Sequence, residues 1–199
     1  MTWSIMEDDK MDSKNVSAGK PMISGAVFVA PFGTDLPETV TEDLNSAFVD
    51  LGFLSDAGLV NDGSRTSNAI KAWGGETVLN IQAEKNDIWT FTMIESKNVN
   101  VLKQVFGTDN VTVDGETGMM TIKVNSKQLA AYSWVFDILL SDGSVKRCVL
   151  PYAQITTVGS VTYSDSAAIG YETTLNALPD SDGNTHYEYI GAAPGGTSL

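Results

Sequence analysis

Residues 69–106 carry the pattern that most restricts the fold of this chain. Two short segments within them alternate between apolar and polar residues, and a third repeats apolar residues every three or four positions. Alternation with a period of two predicts strands with one buried face, whereas the longer spacing predicts an amphipathic helix. The polar residues 84–87 separate the two alternating segments. We therefore predict a β-hairpin followed by a short helix.

Each predicted strand of this hairpin has one polar and one apolar face. In the first strand, one face carries Glu76, Val78, Asn80 and Gln82, and the other carries Thr77, Leu79, Ile81 and Ala83. In the second strand, Thr90 and Thr92 lie opposite Trp89, Phe91 and Met93. We expect the apolar face of the hairpin to pack on the helix and on a second sheet.

The predicted helix has recognisable ends. Val99, Leu102, Val105 and Phe106 recur at helical spacing, Asn98 precedes them as a candidate N-cap, and Gly107 follows as a stop. A second helix is predicted over residues 39–51, with Thr39 or Thr41 as its N-cap. Its apolar face would carry Leu44, Ala47, Phe48 and Leu51.

The remaining sequence reads as strands and turns. We predict strands over residues 23–32, 111–113, 119–124, 132–140 and 167–177. Hairpins are predicted at residues 114–118, at Asp142-Gly143 and at Asp182-Gly183, and Pro151 predicts an edge or a bulge. About eight strands with two short helices predict a mainly β fold, a two-sheet β-sandwich or flattened barrel with a flanking α-helix and a long loop.

The long loop is predicted over Ser55–Gly75. It is rich in Gly, Ser, Asn and Asp, yet it carries Ile70 and Trp73 next to Gly74-Gly75. Connections of this length in a compact domain are uncommon and are usually functional or disordered. The exposed Trp73 has two interpretations: the loop contacts a partner, or it folds back onto its own domain.

The charge of the chain excludes one class of function. The formal net charge is −13 and the pI is about 4.2. Acidity of this size argues against a nucleic-acid-binding groove, which needs Lys and Arg to neutralise phosphates. Seven acidic residues between positions 35 and 62 have no basic residue among them. They form either an ordinary solvated face or a surface that repels DNA.

The sequence holds little that could perform catalysis. His186 is the only histidine and Cys148 the only cysteine, so a multi-histidine metal site, a zinc pair and an internal disulfide are all excluded. Cys148 is expected to be a small core residue. No phosphate-binding loop or nucleophile motif is present. We expect no cofactor, no metal and no enzyme activity. The absence of an apolar leader and of a long apolar run predicts a protein of a cytoplasm-like compartment without a membrane span.

Several segments together resemble a known family, the major tail tube proteins of bacteriophages with long non-contractile tails. The resemblance rests on FVDLGFLSDAGL, IKAWGGETV, DIWTFTMIES and NVNVLKQVFG, and on the Pro-Asp-X-Asp-Gly turn at 179–183. It extends from about Ile23 onward. It implies a domain over residues 21–190 between a flexible N-terminal arm, 1–20, and a flexible tail, 191–199.

The resemblance also implies a function. Such proteins form hexameric rings that stack into a tube, through which DNA passes into the host without specific binding. The further expected partners are the tail terminator, tape measure and distal tail proteins. The protein is expected to assemble in the host cytoplasm and to be part of the virion tail. The implied ring-stacking loop contains Arg65, Ile70, Lys71, Trp73, Gly74 and Gly75. The implied lumen-facing residues are Glu76, Asn80, Gln82, Thr90 and Thr92.

Two alternatives stay open at the level of sequence. A carbohydrate- or surface-binding β-sandwich would use Trp73 or Trp89 as a stacking platform. The tube subunit of a contractile injection machine would share most of the same pattern.

Overall fold

The computed structural model describes residues 13–22 and 26–193, and the fold is mainly β. The strands are β1 (Gly19–Pro21), β2 (Val27–Pro31), β3 (Val49–Asp50), β4 (Leu54–Asp62), β5 (Arg65–Lys71), β6 (Thr77–Lys85), β7 (Ile88–Met93), β8 (Val111–Val113), β9 (Met120–Ile122), β10 (Ala131–Leu140), β11 (Ser144–Val158), β12 (Tyr171–Ala177) and β13 (Tyr187–Ala192). One α-helix, α1 (Val99–Phe106), lies among the described residues. Parts of three predicted segments lie outside the described residues: the start of the first strand (23–25), most of the N-terminal arm (1–12) and most of the C-terminal tail (194–199).

Nine strands form one sheet that curls over itself. Its order is β3-β2-β10-β11-β12-β7-β4, with β1 paired to β10 and β13 paired to β11. Three strand spacings of a flat sheet span about 14 Å. The rings of Trp89 in β7 and Phe136 in β10 are nevertheless stacked at 5.4 Å, although two strands lie between theirs. The sheet is not closed into a barrel, since β3 and β4 remain its two ends.

The core lies inside the curl, and α1 packs against it. Trp134 and Phe136 of β10 are fully buried with Phe91 of β7, as their alternation predicts. The helix contributes Val101, Leu102 and Val105 to the same cluster. The predicted helix ends are confirmed: the Asn98 side chain accepts a hydrogen bond from the Asn100 amide, and Gly107 ends the helix at φ 94°.

The long strand β11 divides the sheet into two branches at Pro151. Its first part, up to Val149, pairs with β13, and its last part, from Ala153, pairs with β12. The register between β10 and β11 shifts where Trp134 pairs with Leu150 and Tyr132 with Ala153, so the predicted bulge at Pro151 is confirmed. Because β12 and β13 lie along different parts of β11, the predicted hairpin at Asp182-Gly183 is wrong, and that segment is a local turn.

The predicted helix over residues 39–51 is wrong. Residues 39–48 are irregular and cross the outer face of the sheet, and residues 49–50 form β3. The Arg147 guanidinium lies at 2.9 Å from the Thr39 carbonyl oxygen and 2.7 Å from that of Glu42, and it donates hydrogen bonds to both. An α-helix would need those carbonyls for its own amides. Arg147 also makes a two-pronged bond to Asp137, at 2.7 and 2.9 Å, and both side chains are buried.

The predicted long loop is also wrong, and so is the predicted hairpin between residues 76–83 and 89–93. Residues 54–71 form β4 and β5, and β6 pairs with β5 rather than with β7. One continuous ribbon results, in which β4 and β7 form the inner half and β5 and β6 the outer half. The sequence alternation places strands correctly but does not determine which strand pairs with which.

Candidate assembly surface

The outer half of this ribbon projects from the body. We call residues 65–85, which comprise β5, β6 and the turn between them, the arm. Every residue of the arm is exposed. The two strands pair antiparallel from Arg65–Lys85 at the base to Lys71–Thr77 near the tip. A two-stranded ribbon without a covering layer is at best marginally stable alone, and no other part of the described chain covers this one.

The tip of the arm presents a tryptophan to solvent. The Ala72 amide donates to the Glu76 carbonyl oxygen at 2.8 Å, and this bond closes the turn. Gly74 and Gly75 have φ values of 117° and 94°, which side chains with a Cβ rarely adopt. The turn leaves Trp73 fully exposed. A large aromatic side chain that is fully exposed at the end of a projecting ribbon is typical of a partner contact.

The two faces of the arm differ in polarity. Because directly paired residues share a face, Ile70 lies beside Leu79 and Asn68 beside Ile81. These three apolar side chains are each about half exposed. The opposite face carries Asn80 and Gln82 with Ala69 and Ser67. The predicted alternation of faces is therefore present, but the expectation that this apolar face packs on the helix is wrong for β6.

The implied stacking residues all belong to the arm, but Arg65 lies at its base and the other five lie at or near its tip. Arg65, Ile70 and Lys71 belong to β5, and Trp73, Gly74 and Gly75 form the tip. The implied lumen residues are divided between two places. Glu76, Asn80 and Gln82 lie on the exposed arm, whereas Thr90 and Thr92 are half-buried on β7 in the body. They do not form one face of a hairpin, because β6 runs on into β7 instead of pairing with it.

A buried carboxylate, Asp87, forms hydrogen bonds at the base of the arm. Asp87 lies between β6 and β7, and its side chain accepts hydrogen bonds from Asn61 of β4 at 2.7 Å and from the Trp89 indole at 2.9 Å. The Thr185 hydroxyl and the His186 ring also contact it. Burial raises the pKa of Asp87, but the bonds from His186, Thr185 and Asn61 outweigh burial and lower the pKa to about 2. The sequence offered no local signal of this cluster, since its members come from three distant segments.

The described residues give little indication of a metal-binding, catalytic or sugar-binding site. They include no cluster of His, Cys, Asp and Glu that could hold a metal ion. Burial, followed by the charge of Glu188, raises the pKa of Cys148 to about 12, so its thiol is a core group, as expected. Trp89 is buried against Phe136 and cannot act as a stacking platform for a sugar. No helix in the described part of the chain is long and apolar enough to cross a bilayer.

The mainly β fold is the one that the resemblance implies, and a family model identifies the family. The model described as phage tail tube protein matches residues 12–197. The chain belongs to this family. Phage tail tube proteins are structural components of the virion tail, and this chain is therefore a structural tail protein. A search of curated proteins returned no match.

Solved structures similar to this tail tube protein include two proteins that terminate a tube. The cap that terminates the tube of the anti-feeding prophage is 11% identical, with 94% of this chain and 100% of that chain covered at a TM-score of 0.42. The sheath/tube terminator of an extracellular contractile injection system is 10% identical, with 87% and 98% covered at a TM-score of 0.38. These identities and scores are too low to transfer either description to this chain.

Proposed function

We propose that this tail tube protein self-assembles into stacked hexameric rings that form the tube of a long non-contractile tail. The observation that carries the proposal is the arm, whose apolar residues Ile70, Leu79 and Ile81 are about half exposed and whose Trp73 is fully exposed. A second copy of the chain would cover them, and repetition of one such contact builds a tube. The tail terminator, tape measure and distal tail proteins are the further proposed partners.

The proposed tube delivers DNA from the virion to the host. The net charge of −13 supports this role, because an acidic channel wall repels phosphate and lets DNA pass without binding. Asn80, Gln82 and Glu76 of the arm, with Thr90 and Thr92 of β7, are the proposed lumen residues. Arg65, Ile70, Lys71 and the Trp73–Gly75 tip are the proposed stacking residues.

Electron microscopy of the purified protein tests the assembly directly. We expect six-fold rings, and stacked tubes at high protein concentration, in negative stain. A chain that stays monomeric at every concentration and salt tested would contradict the proposal. A tube-bearing phage whose genome carries a sheath gene beside this gene would favour a contractile tail instead.

Excision of the arm tests which surface performs the stacking. The Asn86 amide bonds to the Ser64 carbonyl oxygen at 2.9 Å, so the two ends of the arm already lie together. Replacing residues 65–85 by an Asn-Gly turn should leave a folded body that forms no tubes. Matched far-UV circular dichroism of the two proteins controls for folding. Normal tubes from the excised chain would show that other surfaces drive stacking.

Labelling tests the proposed lumen position of Asn80. An Asn80→Cys chain should react with a bulky maleimide as a monomer and be shielded in tubes. The native Cys148 is buried and serves as an internal control. Equal labelling of both forms would refute the assignment.

A further inference from the structure

A groove at the other end of the sheet has the features of a receptor for the arm. It lies between α1 and the edge formed by β2 and β3, and it is lined by Val29, Ala30, Ala47, Val49, Lys103 and Gln104. Its volume is about 290 Å³. Sites for drug-sized ligands are usually larger, at about 300–1,000 Å³. The groove therefore has room for about one large side chain.

One of the residues that line this groove carries a buried polar atom without a partner. Gln104 is 6% exposed, and its side-chain oxygen, Oε1, has no hydrogen-bond partner among the described residues. Buried polar atoms in native proteins are almost always paired, because an unpaired one loses its hydration without compensation. An incoming group that donates one hydrogen bond and is otherwise apolar would complete the site.

The arm tip supplies such a group. Trp73 is fully exposed, and its indole is a large apolar ring with a single N–H donor and no acceptor. The charges beside the two surfaces also match. Glu76 follows Trp73 by three residues at the tip and Lys103 lines the groove, and neither makes an ion pair within the described chain. Aromatic rings that fill a pocket with their polar atom paired are the commonest anchors of protein interfaces.

We propose that Trp73 of one copy inserts into the groove of a second copy and donates its indole N–H to Gln104 Oε1. This inference rests on the proposed self-assembly and names the surface that receives the arm. The arm extends β4, one end of the sheet, whereas the groove lies at β3, the other end. The contact is therefore heterologous, and a heterologous contact that does not close on itself adds copies without limit, as ring stacking requires.

Cross-linking tests the contact without removing Trp73. Chains with Glu76→Cys and chains with Lys103→Cys are mixed in equal amounts, assembled, and oxidised. We expect a disulfide-linked dimer in the assembled fraction of the mixture and none in the monomeric fraction. The control mixture pairs Glu76→Cys with Val124→Cys, an exposed position beyond β9, and should give none. Assembled tubes without the dimer would overturn this inference and leave the proposed function standing, whereas wild-type protein that never assembles would overturn both.

A double-mutant cycle tests the hydrogen bond itself. Trp73→Phe removes the donor and keeps an aromatic ring, and Gln104→Leu removes the acceptor at nearly constant volume. Each should raise the concentration needed for assembly about three- to tenfold, as the loss of one buried hydrogen bond does. The double variant should be no worse than either single variant, because both remove the same bond. Additive effects, or no effect of either change, would overturn the bond. Unfolding curves of the monomers show whether each variant folds, and the cross-linking result does not depend on them.

Discussion

Strands β6 and β7 have the same alternation of apolar and polar residues in sequence, but their environments in the structure differ completely. In β7, Trp89 and Phe91 are each 2% exposed, whereas Leu79 and Ile81 of β6 are 53% and 49% exposed. Both strands alternate, and both belong to one ribbon. The difference is that β7 lies between β12 and β4 and faces the core, while β6 pairs with β5 alone among the described strands. Alternation thus identifies a strand with one apolar face but not the molecule that covers this face.

The largest difference between body and arm should appear in a matched pair of truncations. Phe136→Ala removes a ring that contacts Trp89, Phe91 and Trp134, and it should lower the free energy of unfolding by about 3–5 kcal/mol. Ile81→Ala in the arm should change it by no more than about 0.5 kcal/mol. Urea unfolding of the monomeric protein, followed by circular dichroism, measures both. Similar losses would mean that the arm is covered by its own chain.

A second pair of substitutions compares an arginine of the body, Arg147, with an arginine of the arm, Arg65. Arg147→Met leaves Asp137 buried without its partner and frees the carbonyls of Thr39 and Glu42, so we expect a loss of about 3–5 kcal/mol. Arg65→Met in the arm breaks only an exposed 3.3 Å bond to Gln82 and should cost at most about 0.5 kcal/mol. The same unfolding assay measures both. Faster proteolysis within residues 33–48 of the Arg147 variant would show that this segment is released. An unchanged segment would contradict its anchoring by Arg147.

The smallest expected effect lies at the boundary between body and arm and depends on pH. The folded pKa of Asp87 is about 2, below the ordinary 3.8, so the carboxylate stabilises the folded state above about pH 4. That contribution is lost as the pH falls from about 4 to about 2. Asp87→Asn should flatten the pH dependence of the urea midpoint in this window. The exposed Asp56→Asn in β4 is the matched control and should keep the wild-type slope. An Asp87→Asn chain with the wild-type slope would refute the role of this carboxylate.

Much of the local structure was predictable from the sequence. The helix α1 with its Asn98 cap, the hairpins around 114–118 and Asp142-Gly143, the alternating strand β10 and the bulge at Pro151 all depend on neighbours in sequence. Turn chemistry, capping and periodicity act within a few residues, so their signals are readable without a tertiary structure. The family resemblance was readable for the same reason, and the family model confirms it.

The errors arose where a distant residue replaced a local partner. Residues 39–51 have the spacing of a helix, but Arg147, about a hundred positions away, binds the carbonyls that the helix would use. The prediction of a loop over residues 55–75 was wrong because β4 and β5 are polar strands without a clear apolar alternation. They are held as strands by their pairing with β7 and β6. The Asp87 cluster and the Gln104 groove were missed because each joins segments that lie far apart in the chain.

The sequence by itself determined that this chain is mainly β, acidic and poor in catalytic groups, because composition, alternation and turn residues are local properties. The tertiary structure alone decided that β6 pairs with β5, and that Trp73 stands at the tip of a projecting arm instead of folding back. The physical reason is that strand pairing and burial are set by long-range contacts, whose free energy depends on neighbours that no local pattern specifies. The alternating segment that most restricted the fold therefore contains two different strands: β7 lies in the core, and β6 belongs to the uncovered arm.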